Sequence, residues 1–460
     1  MRYDIVIRGG EVVSTRGRLV ADVGIRGETV AALGTDLDGT EVIDATGKLV
    51  LPGALDVHTH FQLPFCGTRS ADDFFNGSKA AALGGVTTFI DFAIQAKPAS
   101  VMDAVRARRE EADPKVCVDY GLHAGITEWN ADRVREIPEL IAAGCPTFKM
   151  FMIYKAQNWQ SNDGDLFAAI REARRYGGMV GVHAENNDLI ERLQAETDAA
   201  AYPGCYAHAV SRPAVTETEA IARAIHLAEA AGGALYIFHM STGAAADIVR
   251  AARQRGVNVH AETGPHYLLL DDELFKRPDG HHFGTCPPIR KKADQETLWA
   301  RLADGTVEVS ATDTCTFDSR QKAMWGGDYR KIPFGMPGIE TMVPLLYTTG
   351  VRAGRISLEQ MVGMVCENPA KLFGLWPRKG VLQPGSDADL AIFDPELPVT
   401  ITPSVLATCC DYSPFEGTAV RGWPVTTLVR GRVVVRDRGF CGEPGTGRFL
   451  RRNPPFAPAA

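Results

Sequence analysis

Between about residues 53 and 375, short apolar runs of strand length alternate with alanine-rich stretches of helical character such as "SKAAALGG" and "TEAIARAIHLAEAAGG". Strands that alternate with helices in this way are typical of α/β folds, and eight such units are the pattern of a (β/α)8 barrel of the TIM type. The eight runs cover residues 54–58, 86–91, 116–125, 147–152, 179–183, 234–239, 257–262 and 307–313.

The two ends of the chain have a different pattern. Residues 1–52 and 376–445 contain short strand-like segments separated by turn signals such as "RGG", "ATGK" and "LVRGRVVVRDRG". We expect both ends to build one β-domain beside a catalytic barrel of residues 53–375. Residues 446–460 are expected to form a C-terminal tail.

Composition and charge exclude several classes of partner. The chain carries 49 basic and 56 acidic residues, a net charge of -7, without long runs of Lys and Arg. This balance predicts neither a nucleic-acid partner nor an anionic membrane surface. The amino terminus reads as a strand rather than a signal peptide, and ten cysteines occur without a CxxC pair. We therefore expect a cytoplasmic protein.

Several of the apolar runs end in a side chain that can bind a metal ion. The carboxyl ends of all strands in a barrel meet at one mouth, so residues far apart in sequence become neighbours there. An HxH pair on a strand points two imidazoles the same way, which suits chelation of one ion. The sequence therefore predicts a metal site at the mouth, formed by His58, His60, His183, His239 and Asp313.

Lys149 interrupts the apolar segment "PTFKMFMIYK". A buried ammonium is costly unless it is paired, neutralised or chemically changed. Close to metal cations its pKa would fall, which leaves a nucleophilic amine that could form a Schiff base with a carbonyl substrate or take up carbon dioxide as a carbamate. We favour the carbamate, because two ions held mainly by neutral imidazoles need anionic bridging oxygens.

At this point the chain resembles the amidohydrolase superfamily, and within it the dihydropyrimidinase and hydantoinase group of cyclic amidases. The resemblance covers nearly the whole chain. It rests on the segments "LPGALDVHTHFQLPFCGTRSADDFFNGSKAAALGGVTTFIDFA", "FKMFMIYK", "VHAEN", "IFHMSTGAA", "ENPAKLFGL", "GSDADLAIFDP" and "DYSPFEG". What it implies is a barrel with a β-sandwich domain, and hydrolysis of the cyclic amide bond of 5,6-dihydropyrimidines or 5-substituted hydantoins to N-carbamoyl amino acids.

The same resemblance implies roles for individual residues. Two divalent ions, zinc in the first place and manganese or cobalt as alternatives, would be bridged by an N6-carboxylated Lys149 that needs carbon dioxide. His58, His60 and Asp313 would hold one ion, and His183 and His239 the other. Asp313 would shuttle the proton from water to the leaving nitrogen, and the hydroxyl of Tyr154 would polarise the substrate carbonyl. A homotetramer is implied, with a homodimer as the alternative.

Three positions depart from the family pattern. Thr314 stands where relatives usually have His, Cys286 where a Ser usually contacts the substrate ring, and Phe334 where Asn or His is common. The change at Thr314 bears on the surroundings of Asp313, and the changes at Cys286 and Phe334 bear on substrate preference. The remaining expected substrate contacts are apolar side chains placed on mouth loops, namely Leu63, Phe65, Phe151 and Trp159, besides Tyr154.

Other functions stay open at the level of the sequence. Gln62 replaces the Arg that dihydroorotase-like enzymes place after HxH, which argues against an acidic substrate. An allantoinase-like ring hydrolase is the nearer alternative, although the apolar side chains of the mouth suit an apolar ring substituent better. A non-catalytic scaffold related to dihydropyrimidinase is the alternative of a different class. Glu262 is expected to pack beside the metal site or to support it.

Overall fold

The computed structural model of the chain describes residues 2–458. Within them the strands form an eight-stranded sheet, a nine-stranded sheet and a two-stranded hairpin. In chain order the strands are β1 (Arg2–Ser14), β2 (Gly17–Arg26), β3 (Thr29–Gly34), β4 (Asp38–Asp44), β5 (Leu49–Pro52), β6 (Ala54–Thr59), β7 (Pro64–Phe65), β8 (Thr68–Arg69), β9 (Val86–Ile94), β10 (Asp119–Gly125), β11 (Thr147–Phe151), β12 (Met179–His183), β13 (Ala234–Ile237), β14 (Val259–Thr263), β15 (Val309–Ser310), β16 (Leu390–Thr400), β17 (Ala419–Val429), β18 (Arg432–Arg436) and β19 (Gly439–Phe440).

The eight-stranded sheet is parallel and runs in the order β6-β9-β10-β11-β12-β13-β14-β15. Its two edges meet where Thr59 forms a bridge with Thr314 and the backbone N–H of His60 donates to the Thr314 carbonyl at 2.8 Å. The sheet therefore closes almost completely into a barrel. The predicted α/β fold, a TIM-like (β/α)8 barrel, is confirmed.

Helices cover the outside of the barrel, and local signals set their ends. The Asn162 side chain caps α4 by accepting from the backbone N–H of Asp165 at 2.9 Å, and Gly232, in the left-handed region with φ 65°, ends α7. The α-helices are α1 (Phe74–Leu83), α2 (Val101–Ala112), α3 (Ala131–Ala142), α4 (Asp163–Arg175), α5 (Asn187–Glu196), α6 (Ala207–Val210), α7 (Ala214–Ala231), α8 (Gly243–Gln254), α9 (Pro265–Leu269), α10 (Lys292–Ala303), α11 (Ser319–Lys322), α12 (Met342–Leu346), α13 (Leu358–Val362) and α14 (Asn368–Leu372).

Short 3₁₀-helical and π-helical segments lie between these elements. The 3₁₀ segments are Lys155–Gln157, Ala199–Ala201, Asp272–Lys276, Gly280–Phe283, Ala323–Trp325, Tyr329–Lys331 and Pro403–Val405, and the π-helical segments are Tyr347–Val351 and Gly363–Glu367. Among residues 2–458, no helix is both long enough and apolar enough to cross a membrane.

The nine-stranded sheet joins the two ends of the chain. Its order is β19-β18-β17-β16-β5-β1-β2-β3, with β4 also paired to β1, and only the pairings of β1 with β4 and β5 are parallel within the described residues. Ile7, Val23, Val50, Leu390 and Ile392 from both ends pack into one buried cluster. The expected second β-domain built from both ends is thus present. The exact domain boundaries stay a prediction, and residues 1, 459 and 460 of those domains lie outside the described part.

Two strand boundaries differ from the expectation and matter for the site. The second barrel strand continues to Ile94, three residues beyond the predicted end. The last one is only Val309–Ser310, so Asp313 lies in the turn that follows it. The first difference brings Phe92 and Ile94 to the mouth of the barrel, where both line the cavity described below.

Candidate metal centre and active site

One cavity at the carboxyl end of the barrel contains every residue predicted for the site. The metal-ligand candidates come from the ends of separate strands, and the substrate-contact candidates come from the loops that follow. The residues that line it are His58, His60, Leu63, Phe65, Phe92, Ile94, Lys149, Phe151, Tyr154, Trp159, His183, His239, Thr285, Cys286, Asp313, Cys315, Phe334 and Gly335.

His58, His60 and Asp313 form a compact group. One carboxylate oxygen of Asp313 lies 3.0 Å from Nε2 of His58 and 3.1 Å from Nε2 of His60. Asp313 adopts a left-handed backbone conformation, φ 49°, which is uncommon for a residue with a side chain. Within the described residues, this is the only group of three His, Cys, Asp or Glu side chains whose ligand atoms lie within 4.8 Å of one another.

Glu262, near the end of β14, supports this group through hydrogen bonds. Its carboxylate bonds Nδ1 of His58, accepts from the backbone N–H of His239 at 3.1 Å and accepts from the Tyr236 hydroxyl at 2.9 Å. Burial alone would lower the pKa of His58, but Asp313 and Glu262 raise it to about 9. The two carboxylates therefore stabilise positive charge at this position.

His183 and His239 form the second half of the centre. Their ring centroids lie 4.3 Å apart, and Nε2 of His183 lies 2.7 Å from a carboxylate oxygen of Glu185. Glu185 in turn accepts from the Arg212 guanidinium at 3.1 and 3.2 Å. A carboxylate on one imidazole nitrogen leaves the other available as a ligand, which is the usual arrangement for metal-binding histidines.

Lys149 lines the same cavity as both groups of ligand candidates. Its Nζ is 3.8 Å from the centroid of the Phe238 ring and 5.1 Å from that of Phe92. Burial lowers the pKa of Lys149 to about 7, against the attraction of Asp313 and Glu262, which raises it. The amine is therefore substantially neutral near pH 7, the form that reacts with carbon dioxide.

The buried donors fit a metal centre better than a purely hydrogen-bonded core. Nδ1 of His239 and Nδ1 of His60 are buried without a hydrogen-bond partner among the described residues. Buried polar atoms are normally paired, so these nitrogens require another kind of partner. Imidazoles with one aspartate and one neutral lysine are a donor set suited to zinc, cobalt or manganese.

Aromatic side chains form the outer wall of the cavity. Tyr154, with φ 70°, follows β11 and lies 5.1 Å from the ring of His183, centroid to centroid. The rings of Phe65, Phe151 and Trp159 surround Tyr154 at centroid distances of 5.9–6.0 Å. The expectation that Phe151 lies on a mouth loop is wrong, because it is the last residue of β11 and enters the cavity from the strand end.

The three departures from the family pattern occupy different places. Thr314 does not line the cavity; its backbone closes the barrel and its hydroxyl lies 2.6 Å from that of Thr312. Cys286 and Phe334 both line the cavity. Phe334 also stacks on His208 with a centroid distance of 4.9 Å, which holds its ring against the wall.

A model of the amidohydrolase family matches residues 49–434. The chain belongs to the amidohydrolase family. It is 42% identical over 453 residues to the D-hydantoinase of Geobacillus stearothermophilus, with 97% of this chain and 96% of the relative covered. It is 41% identical over 460 residues to the D-phenylhydantoinase of Escherichia coli O1:K1, with 99% of each covered. A crystal structure of dihydropyrimidinase from Brevibacillus agri matches with a TM-score of 0.95 and 40% identity, covering 98% of this chain and 99% of that one.

Membership of the family makes this amidohydrolase a hydrolytic enzyme that uses divalent metal.

Sequence reasoning missed several residues of its site. Phe92 and Ile94 were assigned to no role because their strand was predicted to end at residue 91, and extending the apolar run "VTTFIDFAI" would have found them. Glu185 carried no signal of its own, since its role depends on contacts with His183 and Arg212 that only the fold creates.

Proposed function

We propose that this amidohydrolase opens the cyclic amide bond of 5,6-dihydropyrimidines and 5-substituted hydantoins to give N-carbamoyl amino acids. The observation that carries the proposal is the convergence of the six ligand candidates on one cavity with an aromatic wall; three of them lie in barrel strands and three in the connections that directly follow strands. The relatives named D-hydantoinase and D-phenylhydantoinase support the same activity. Neither name favours an allantoinase or a non-catalytic scaffold.

The donor set would hold two divalent ions. His58, His60 and Asp313 would hold one ion, and His183 and His239 the other, with N6-carboxylated Lys149 between them. The low pKa of Lys149 supports carboxylation, and its presence in the same cavity as both groups of ligand candidates supports a bridging role. We infer zinc as the native metal, with manganese and cobalt as alternatives that the same ligands accept.

When bound, the two ions would supply an activated water nucleophile and polarise the ring carbonyl. Asp313 would take the proton from water and deliver it to the ring nitrogen as the amide bond breaks, acting first as base and then as acid. Burial raises the pKa of Asp313, but His58 and His60 lower it well below its usual range, so the carboxylate is ionised before the proton transfer begins.

Tyr154 would donate a hydrogen bond from its hydroxyl to the carbonyl oxygen as negative charge develops there. Burial raises the pKa of Tyr154 well above its ordinary value, so the phenol keeps its proton at any physiological pH. The aromatic rings around Tyr154 would pack against an apolar substituent of the substrate and exclude water from it. Leu63 and Trp159 would extend that contact on the open side of the cavity.

The wider assignments rest on the resemblance and on composition. We infer a cytoplasmic homotetramer, with a homodimer as the alternative, that acts on a small-molecule substrate and has no nucleic-acid or membrane partner. Size-exclusion chromatography with light scattering distinguishes these oligomeric states directly.

The proposal is tested by turnover of dihydrouracil, hydantoin, 5-phenylhydantoin and allantoin, with zinc and bicarbonate supplied. We expect hydrolysis of the dihydropyrimidine or hydantoin rings and little turnover of allantoin. Turnover of allantoin alone would overturn the substrate assignment. Absence of turnover on all four rings by fully metal-loaded protein would overturn the activity itself.

A further inference from the structure

Lys322, the last residue of α11, is a buried lysine outside the metal centre. Its side chain is fully buried, and burial lowers its pKa to about 8. Its Nζ donates to the carbonyl of Pro333 at 2.7 Å and to the carbonyl of Gly284 at 3.1 Å. Burying an amine in this way is costly, and here it is used to hold two backbone oxygens rather than a carboxylate.

Both oxygens belong to loops that form the wall of the cavity. Gly284 precedes Thr285 and Cys286, and Pro333 precedes Phe334 and Gly335; those four residues all line the cavity. The carbonyl of Gly284 also accepts from the backbone N–H of Gly335 at 2.9 Å. Lys322 therefore secures the point at which the two loops are joined to each other.

Gln321, the residue before Lys322, holds a third loop of the cavity in a similar way. Nε2 of Gln321 donates to the hydroxyl of Thr68 at 2.8 Å and to the carbonyl of Arg69 at 2.7 Å. Thr68 pairs with Phe65 in the β7–β8 hairpin, and Phe65 lines the cavity. The helix itself begins with a capping box between Asp318 and Gln321, which fixes its first turn.

We propose that Lys322 is a positioning residue that sets the affinity for the substrate ring by holding the 284–286 and 333–335 loops together. Its amine bonds neither the substrate-contact side chains nor the metal-ligand candidates, and it acts through the carbonyls of Gly284 and Pro333, which precede Cys286 and Phe334 in the two loops. The inference rests on the proposed function, since it assigns the ring of the cyclic amide to the wall that these loops form. If these two loops move, the substrate is bound less tightly in both the ground state and the transition state. The geometry of Asp313, which would shuttle the proton, is unchanged.

The test compares Lys322→Met, which keeps the apolar stem and removes the donors, with Arg320→Met on the same helix. The Arg320 side chain is 90% exposed and contacts Asp318, so its replacement controls for changes in α11 alone. With metal content matched to wild type, we expect Lys322→Met to raise KM for dihydrouracil and hydantoin about tenfold while kcat falls less than about threefold. Arg320→Met is expected to keep both constants within about twofold of wild type.

Hydrogen exchange measured by mass spectrometry supplies a readout independent of activity. We expect faster exchange in peptides covering residues 284–287 and 333–336 of Lys322→Met, and unchanged exchange in peptides covering β6 and β12. If Lys322→Met does not fold, Lys322→Gln, which retains a shorter donor, carries the same measurements with a smaller expected change.

Unchanged KM together with unchanged loop exchange would overturn the proposal. A parallel loss of bound metal, of kcat and of exchange protection throughout the protein would also overturn the proposal, because that result indicates general destabilisation. If the wild-type protein hydrolyses no cyclic amide, the proposed function fails, whereas the exchange measurement still decides whether Lys322 holds the two loops.

Discussion

Asp313 illustrates how much of the account depends on single side chains. Its carboxylate lies within 3.1 Å of two imidazoles, at a backbone conformation that few residues adopt, on the face of the cavity where a ring substrate would lie. Asp313→Ala is expected to lower kcat by roughly a hundredfold or more, because a positioned acid/base group contributes at least that factor.

The measurement for Asp313 is steady-state turnover of 5-phenylhydantoin or dihydrouracil with metal content determined alongside. Asp188→Ala is the matched control, because Asp188 is 78% exposed and contacts only Lys155 through its side chain. We expect the control to keep wild-type activity. Wild-type turnover by Asp313→Ala would refute the proton-shuttle role.

Glu340 gives a prediction on pH at the same scale. It is buried and accepts from the backbone N–H of Ala407 at 2.7 Å; burial raises its pKa from 4.5 to about 8, although that hydrogen bond lowers it. The folded state therefore holds a proton that the unfolded chain releases, and the free energy of unfolding should fall as pH rises from about 4.5 to 8. Glu340→Gln mimics the protonated group and should remove this part of the dependence.

Urea denaturation at pH 5, 6.5, 8 and 9 tests the Glu340 prediction. The variant should become more stable relative to wild type as pH rises, and the difference should level off above pH 8. Glu416→Gln, at an exposed carboxyl, serves as the control. Parallel pH curves for Glu340→Gln and wild type would contradict the assignment.

At the scale of elements, an ionic cluster joins the barrel to the sheet of the chain ends. Nζ of Lys379 lies 2.6 Å from Asp389, 2.7 Å from Asp119 and 2.9 Å from Asp387, and the lysine and Asp119 are fully buried. Asp119 begins barrel strand β10, whereas Asp389 directly precedes β16 of the other sheet. The cluster therefore ties together two layers that are far apart in sequence.

Lys379→Met is expected to destabilise the protein by about 3–5 kcal/mol, because it removes the buried cation shared by three carboxylates, of which Asp119 keeps its pair with Arg430. The free energy of unfolding in urea is the measurement. Lys276→Met, which removes an exposed pair with Glu273, should change it by less than about 1 kcal/mol. A loss below 1 kcal/mol for Lys379→Met would show that the cluster contributes little.

The elements also show what the sequence can and cannot predict. Barrel strands are buried at nearly every position and rich in apolar residues, so their number could be predicted from pattern alone, and the metal-ligand candidates followed from the rule that strand ends converge. Contacts such as Glu262 with His58, or Lys322 with Gly284, depend on side chains that only the closed barrel brings together. Glu262 could be expected near the metal site from its place in the seventh run, but no local pattern marks its contact with His58, nor Lys322 and the carbonyl that it holds.

Strand ends were predicted less well for a related reason. The run from Val86 continues as apolar sequence through Ile94, and the hydrogen bonds with β10 decide where the strand stops. Phe151 was placed on a loop although it pairs with His183 in the sheet. The pattern of apolar residues predicts the central part of a strand, whereas hydrogen bonding with the neighbouring strands determines where the strand ends.

At the scale of the whole molecule, the barrel brings side chains that are spread between residues 58 and 313 of the chain together in one site. The ligand candidates share no local segment, so the metal centre and the folded barrel depend on each other. Ions that bind only the folded state stabilise it, and their removal should lower the melting temperature as well as abolish turnover.

The number of metal ions bound per chain tests the central claim most directly. Protein prepared with zinc and bicarbonate, freed of excess metal and measured by inductively coupled plasma mass spectrometry, should contain two divalent ions per chain. Lys149→Ala, which removes the proposed bridging group, should contain fewer. A correctly folded wild-type chain that binds no zinc, cobalt or manganese under these conditions would contradict the account.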